Sequence, residues 1–458
     1  MVTLTITQTG KKDTKSVVFR LLRQLDWMLI VCMFVLITYG LFAIYSATSR
    51  FGNPEIFYFK QLTALGIGLV ILLIMAGINY RLFRQYALFL YCFSVLILIA
   101  VLLVGIKSRG ARSWFDLHFF AFQPAELTKI IFVLVLAAFI DKYWMQIKSF
   151  KTIVLGLLIM SGHIILILLQ PDFSSCLVYF PIILGMLYAA GAAPSHLLGI
   201  MLYGGITVVV PLLSTFLKLQ PELISKHPCI SFLYESLHGV QWQLFALVMG
   251  LIILVFFIWW IMNKFMVFIP LYIPLIVSLI IVAGMASSKF FEVSIKEYQQ
   301  KRLIVFLNPK IDPLGSGYNI EQSKIAIGSG KVLGKGYLSG TQARLGFIPE
   351  QHTDFIFSVI SEEFGFFRAG LLLILYGVFI VRCMIIARDA RDRFGSLVAS
   401  GLACMFVFYA VINVGMVIGM MPVTGLPLPF VSYGGSSLVT SFIAVGILIS
   451  IHLRRYTH

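Results

Sequence analysis

Between Asp312 and Asp354 the chain gathers residue types suited to handling phosphate: an acidic side chain ahead of a turn, a glycine-rich basic run, and a His-x-Asp pair. Asp312-Pro313-Leu314-Gly315 reads as the turn, because proline fixes φ and glycine relieves the backbone after it. Gly328, Gly330, Gly334, Gly336 and Gly340 follow, interleaved with Lys324, Lys331, Lys335, Thr341, Gln342 and Arg344. Glycines this dense let backbone amides approach a ligand closely, and the neighbouring cations suit an anionic one. No GxxxxGK[ST] run precedes a helix, so this is not a Walker loop, and a purely structural glycine loop is the alternative. His352 and Asp354 stand two apart, where a helical zinc pair needs three or four, which disfavours a metal. A hydrogen-bonded cluster holding the loop in place competes there with ligand contact.

Two further clusters carry chemistry. Lys107-Ser108-Arg109-Gly110-Ala111-Arg112-Ser113-Trp114 places cations between apolar runs, and Phe122-Gln123-Pro124-Ala125-Glu126-Leu127-Thr128-Lys129 follows closely. Glu126 and Lys129 are three apart at a helix start and so share a face. Ionisable groups at membrane depth are costly unless paired or facing a cavity, so the pair is either a structural bridge or part of a site. The stretch Gly419 to Ser437 holds Pro422, Pro427 and Pro429 and cannot be regular helix. Irregular backbone at membrane depth must be buried in protein or line a cavity.

The elements that position these residues follow from composition. The 458 residues are 60% hydrophobic and 12% charged, with mean hydropathy +0.96, which excludes a soluble domain. The expected architecture is all-α and polytopic. About twelve spans fall near 26–46, 62–79, 86–106, 124–140, 152–169, 174–191, 197–214, 242–262, 266–287, 370–388, 397–418 and 436–452. For 197–214, rich in glycine and ending beside Pro211, a re-entrant course is the alternative. Residues 1–25 form a polar tail, 26–287 and 370–458 are transmembrane blocks, and 288–369 is one long loop, whose start, Ser294 to Leu307, reads as a short amphipathic helix. Basic residues crowd the amino-terminal tail and the turns around Arg81, Lys148, Lys264, Arg391 and Arg454. The positive-inside bias therefore puts both termini in the cytoplasm and the long loop outside. This topology accounts for much of the +16 formal charge, so basicity does not argue for nucleic acid. The first apolar run reads as a signal anchor. Six scattered cysteines give neither a disulfide framework nor a CxxC metal site.

Asn308 to Gly317, Gln322 to Gly330, Gly334 to Gln342, Pro349 to Phe357, Met421 to Ser437 and Phe122 to Lys129 together resemble the SEDS family (shape, elongation, division and sporulation). Asp312-Pro-Leu-Gly, Gly340-Thr-Gln and Pro422-Val-Thr-Gly-Leu-Pro-Leu-Pro are nearest its RodA branch. The resemblance implies a peptidoglycan glycosyltransferase of the bacterial cytoplasmic membrane that polymerises lipid II during elongation, beside a class B penicillin-binding protein. It places Asp312 at the family's catalytic aspartate. Substrate contacts are expected at Arg109, Arg112, Glu126, Lys129, Gln322, Lys335, Gln342, His352, Asp354 and Ser432. The family typically has about ten spans, so 197–214 and 242–262 read as an inserted pair. No cofactor is required by the sequence; Mg²⁺ or another divalent cation bridging the pyrophosphate stays open, because no all-protein cage is visible. Two other functions stay open on the residues alone. One is a flippase or transporter of a lipid-linked sugar, and the other is a non-catalytic scaffold for a transpeptidase.

Overall fold

The structure, a computed structural model, describes residues 24–51, 53–108, 111–116, 121–220, 224–225, 228–238, 241–265, 269–294, 300, 302, 304–305 and 315–455. Asp312 and Arg109 lie outside the described residues, as does most of Ser294 to Leu307. Among the described residues, twelve long helices form the body: α1 Trp27–Thr48, α2 Pro54–Gly77, α3 Ala87–Val104, α4 Pro124–Lys142, α5 Phe150–Leu169, α6 Phe173–Ala189, α7 Pro194–Leu219, α8 Gln241–Lys264, α9 Tyr272–Ser294, α10 Ile356–Arg388, α11 Arg393–Val417 and α12 Gly435–Leu453. Each expected span falls on one of them. Among the described residues, ten are long and apolar enough to cross a bilayer unaided. The others are α6, with 17 residues, and α4, which carries Glu126, Lys129, Asp141 and Lys142. Residues 197–214 lie within α7, one continuous helix that accommodates Pro211 in its interior.

Local chemistry sets the helix starts. Pro54, Pro124 and Pro194 stand in the first turns, where a missing N–H costs nothing. Asp26, Ser149, Asp172 and Asp392 accept a backbone N–H as N-caps. Asp26 also takes Arg382 of α10 in a fork, with Nε at 3.0 Å and Nη2 at 2.6 Å from Oδ2, which ties α1 to α10. Small residues allow close helix crossings: Gly68 of α2 faces the Phe442 ring of α12, and Gly446 of α12 faces Leu72 and Met75.

The sequence did not foretell a three-stranded antiparallel sheet between α3 and α4. Its strands are β1 Ile106–Ser108, β2 Ala111–Asp116 and β3 Ala121–Phe122, in the order β1-β2-β3, with Lys107 opposite Arg112. Alternation in β2 buries Ser113 and exposes Arg112.

The long loop is shorter than expected at both ends, since α9 runs to Ser294 and α10 begins at Ile356. The helix α10 breaks at Gly365, whose φ of 76° and ψ of −178° are open to glycine alone. The break exchanges helical hydrogen bonds for bonds to the loop. The Glu362 and Glu363 carbonyls accept from Lys335 N and Gly336 N, each at 3.0 Å. Phe366 N and Phe367 N donate to the Lys331 and Val332 carbonyls at 2.9 and 3.3 Å. A Cβ on Gly334 would come within 2.2 Å of the Glu363 carbonyl oxygen, so the backbones touch directly.

Candidate functional site

The site assembles where the amino-terminal ends of α4, α6 and α12 meet the carboxy-terminal end of α11. Here Met421 to Gly434 is irregular and largely buried, as the three prolines require. Side chains tie it to the end of the long loop. Asn413 of α11 donates from Nδ2 to the Asp354 carbonyl at 3.0 Å and to the Leu426 carbonyl at 2.8 Å. Ser432 donates from Oγ to the Thr353 carbonyl at 2.7 Å and accepts from Leu428 N at 2.8 Å. The His352 ring packs edge-on against Phe57 and near Tyr433, whose N–H donates to the His352 carbonyl at 2.9 Å.

Between these walls lies a cavity of about 440 Å³. Four carboxylate residues line it: Glu126 from α4, Asp172 at the cap of α6, and Glu350 and Asp354 from the long loop, with Arg302 beside them. Gly425, at φ 77°, lies where a Cβ would press on Asp354 Oδ2 at 3.2 Å, and its positive φ favours glycine. Beneath the cavity, Lys129 Nζ donates to Glu126 Oε1 at 2.6 Å, and the Tyr409 hydroxyl donates to Glu126 Oε2 at 2.9 Å. Lys129 also contacts Tyr409 Oη and is fully buried. The Gln123 amide donates to Asp172 Oδ2 at 2.7 Å, and Ser175 donates to the same carboxylate from N and Oγ. Burial nevertheless pushes the Asp172 carboxyl up from the usual carboxylate range, with the Ser175 bonds opposing.

Of the residues singled out in the sequence, Glu126 and Asp354 face this one cavity. Lys129 lies directly behind Glu126; His352 and Ser432 do not line the cavity, but Ser432 bonds to the carbonyl of the lining residue Thr353 and His352 packs beside the lining residue Tyr433. Arg112 is exposed on β2, with its guanidinium 3.5 Å from the Leu103 carbonyl, next to Ser113 and Trp114 of the cavity lining. Lys335 and Gln342 gather elsewhere, around Glu362 of α10. Its Oε1 accepts from Lys335 Nζ at 2.8 Å, Thr341 Oγ1 at 3.0 Å and Gln342 N at 3.0 Å. Gln322, half-buried on the loop helix Ser316–Ser329, does not line the cavity. Asp172 escaped the sequence reading; its signal is a Pro-Asp-x-Ser-Ser turn squeezed between two apolar runs. The arrangement offers carboxylates that accept hydrogen bonds from sugar hydroxyls or take up a proton, and a guanidinium suited to phosphate.

Known proteins share this architecture. The profile of the cell cycle protein family FtsW/RodA/SpoVE matches residues 26–227 and 232–457, its break falling between the two helices read as an inserted pair. The peptidoglycan glycosyltransferase RodA of Treponema pallidum is 35% identical over 442 residues, covering 94% of this chain and 98% of that protein. The peptidoglycan glycosyltransferase MrdB of Escherichia coli K12 is 32% identical over 432 residues, covering 94% of each. Among solved structures, one chain of a peptidoglycan synthase complex described as coordinating polymerization and crosslinking superimposes with a TM-score of 0.61 at 27% identity, over 95% of this chain and 99% of that one. The rod shape determining protein RodA of Thermus thermophilus gives 0.59 at 24% identity, over 95% and 98%, and shares the fold. This multi-pass membrane protein belongs to the FtsW/RodA/SpoVE family of cell cycle proteins.

Proposed function

We propose that this chain is a peptidoglycan glycosyltransferase that polymerises lipid II during cell elongation. The carrying observation is a carboxylate-lined cavity at one end of the membrane bundle, in a chain that matches RodA and MrdB nearly end to end. In the reaction an acceptor sugar hydroxyl attacks the anomeric carbon of a second lipid-linked disaccharide. The new C–O bond forms as the bond to the polyprenyl pyrophosphate breaks and that electron pair leaves with the phosphate. The hydroxyl proton passes to a carboxylate acting as general base, for which we assign Asp312. Arg302 at the cavity, with Arg112 of β2 and Arg109, is assigned to the pyrophosphate charge. Glu126, Asp172 and Asp354 hold sugar hydroxyls, and Lys129 holds the Glu126 carboxylate in place.

The partner we assign is a class B penicillin-binding protein, in line with a structural relative drawn from a polymerizing and crosslinking complex. Purified chain supplied with lipid II should yield glycan polymer, faster with that partner present. Movement of lipid II between vesicle leaflets without polymer would favour a flippase, and partner binding with neither activity would favour a scaffold. We place the protein in the bacterial cytoplasmic membrane with both termini inside and the cavity at the outer face. A cysteine replacing Ser339 should then react with a membrane-impermeant thiol reagent in intact cells, while one replacing Arg391 should not. The reverse pattern would invert the topology and remove the lipid II reading.

A further inference from the structure

The proline-rich stretch reaches the cavity twice, through Val423 to Pro427 and again through Tyr433, Gly434, Ser436 and Ser437. Between the two runs the chain turns back into the bundle, and Leu428, Phe430 and Val431 are buried. In this turn Phe430 has φ 67°. Left-handed backbone is strained for a side chain of this bulk, and such strain persists only where the surroundings impose it. Three rings do so here. Phe430 stacks on Phe406 of α11 with centroids 5.8 Å apart, and it meets Phe379 of α10 and Phe442 of α12 edge-on at 5.4 and 6.3 Å. The backbone on either side is held as well. Tyr376 Oη donates to the Pro429 carbonyl, and Val431 N and Ser432 N both donate to the Leu428 carbonyl, at 3.1 and 2.9 Å. From α1, Gly40 lies against the turn, where a Cβ would come within 2.7 Å of the Phe430 and Val431 carbonyl oxygens.

We propose that Phe430 is a positioning residue for the glycosyl transfer, an inference that rests on the glycosyltransferase reading above. Its ring, seated among α10, α11 and α12, holds the backbone left-handed, and that turn sets the spacing of the two cavity-lining runs that leave it. Phe430 does not line the cavity itself, so it acts through the backbone. Filling the socket with apolar volume would not by itself call for left-handed backbone. The strain is kept between two segments of the site, where strain serves to fix geometry in advance.

The test compares Phe430→Ala with Phe430→Gly in the full chain. Both remove the same ring, but alanine is strained at φ 67° and should relax once the socket is empty, whereas glycine accepts that conformation freely. Polymerisation of lipid II per folded molecule should fall about a hundredfold in Phe430→Ala, the order expected when reacting groups shift by about 1 Å. The glycine protein should be about tenfold more active than the alanine protein, because its backbone can keep the turn. A second measurement needs no activity. With Ser437→Cys added in each protein, a small thiol reagent should label residue 437 at a rate changed about fivefold in Phe430→Ala and close to the parent's in Phe430→Gly, since labelling follows access to the thiol. Equal loss of polymerisation in the two proteins, or parental labelling in Phe430→Ala, would make Phe430 an ordinary core ring. A parent that makes no polymer would instead overturn the glycosyltransferase reading, and the labelling would still decide whether Phe430 sets the cavity's geometry. Should neither protein fold, Phe379→Leu and Phe406→Leu loosen the socket and are expected to lower polymerisation and shift the labelling; both unchanged in both proteins would equally overturn the proposal.

Discussion

Asp312→Asn protein is expected to lose glycan polymerisation by about 10² to 10⁴-fold, the usual contribution of a general base. Asparagine nearly matches aspartate in size, but it cannot take a proton at neutral pH. The loss should therefore appear in turnover, with thermal stability and partner binding near those of the parent. Single-turnover polymerisation of lipid II by both proteins is the deciding measurement. A folded Asp312→Asn protein working at near the parent rate would make Asp312 a turn residue. The base would then have to be sought between Glu350 and Asp354, the loop carboxylates that line the cavity.

The second large effect lies beneath the cavity. Lys129→Met should cost roughly 3–5 kcal/mol, because it strands the Glu126 carboxylate in a buried site with one hydroxyl partner in place of an ammonium and a hydroxyl. Removing both charges, as Glu126→Gln with Lys129→Met, should recover most of the stability, because neither residue then leaves a bare charge. Activity should stay low in the double variant if Glu126 holds substrate. Thermal unfolding of the three proteins in one detergent, compared with their polymerisation rates, separates the two roles. Equal melting of parent and single variant would show that the pair contributes nothing to holding the bundle.

The spans were legible because apolar runs of bilayer length have few other uses, and the one doubtful run, 197–214, is accommodated in α7. The small sheet was not legible, since strands of two to six residues leave too little alternation to read. The upper part of α10 was hidden for a different reason. Glu362 and Glu363 end the apolar run, although backbone bonds continue around them. Glu126, Lys129 and the proline-rich stretch stood out because charge and broken helix are both expensive in a membrane. Asp172 did not stand out, since a capping aspartate in a short turn looks like any other. The cations and amides of the glycine loop signal an anion, and residue types alone do not distinguish a ligand phosphate from a carboxylate of the same chain. For Lys335 and the Gln342 amide, the anion met in the fold is Glu362.

The exchanged bonds at Gly365 also set an order of assembly. Chains are made from the amino terminus, so Lys331 to Gly336 are synthesised before Glu362 to Phe367. Two carbonyls and two amides of that stretch find their partners only in the later segment. The glycine loop thus reaches the membrane with its final shape still unmade, and the arrival of α10 in the bilayer is the event that completes it.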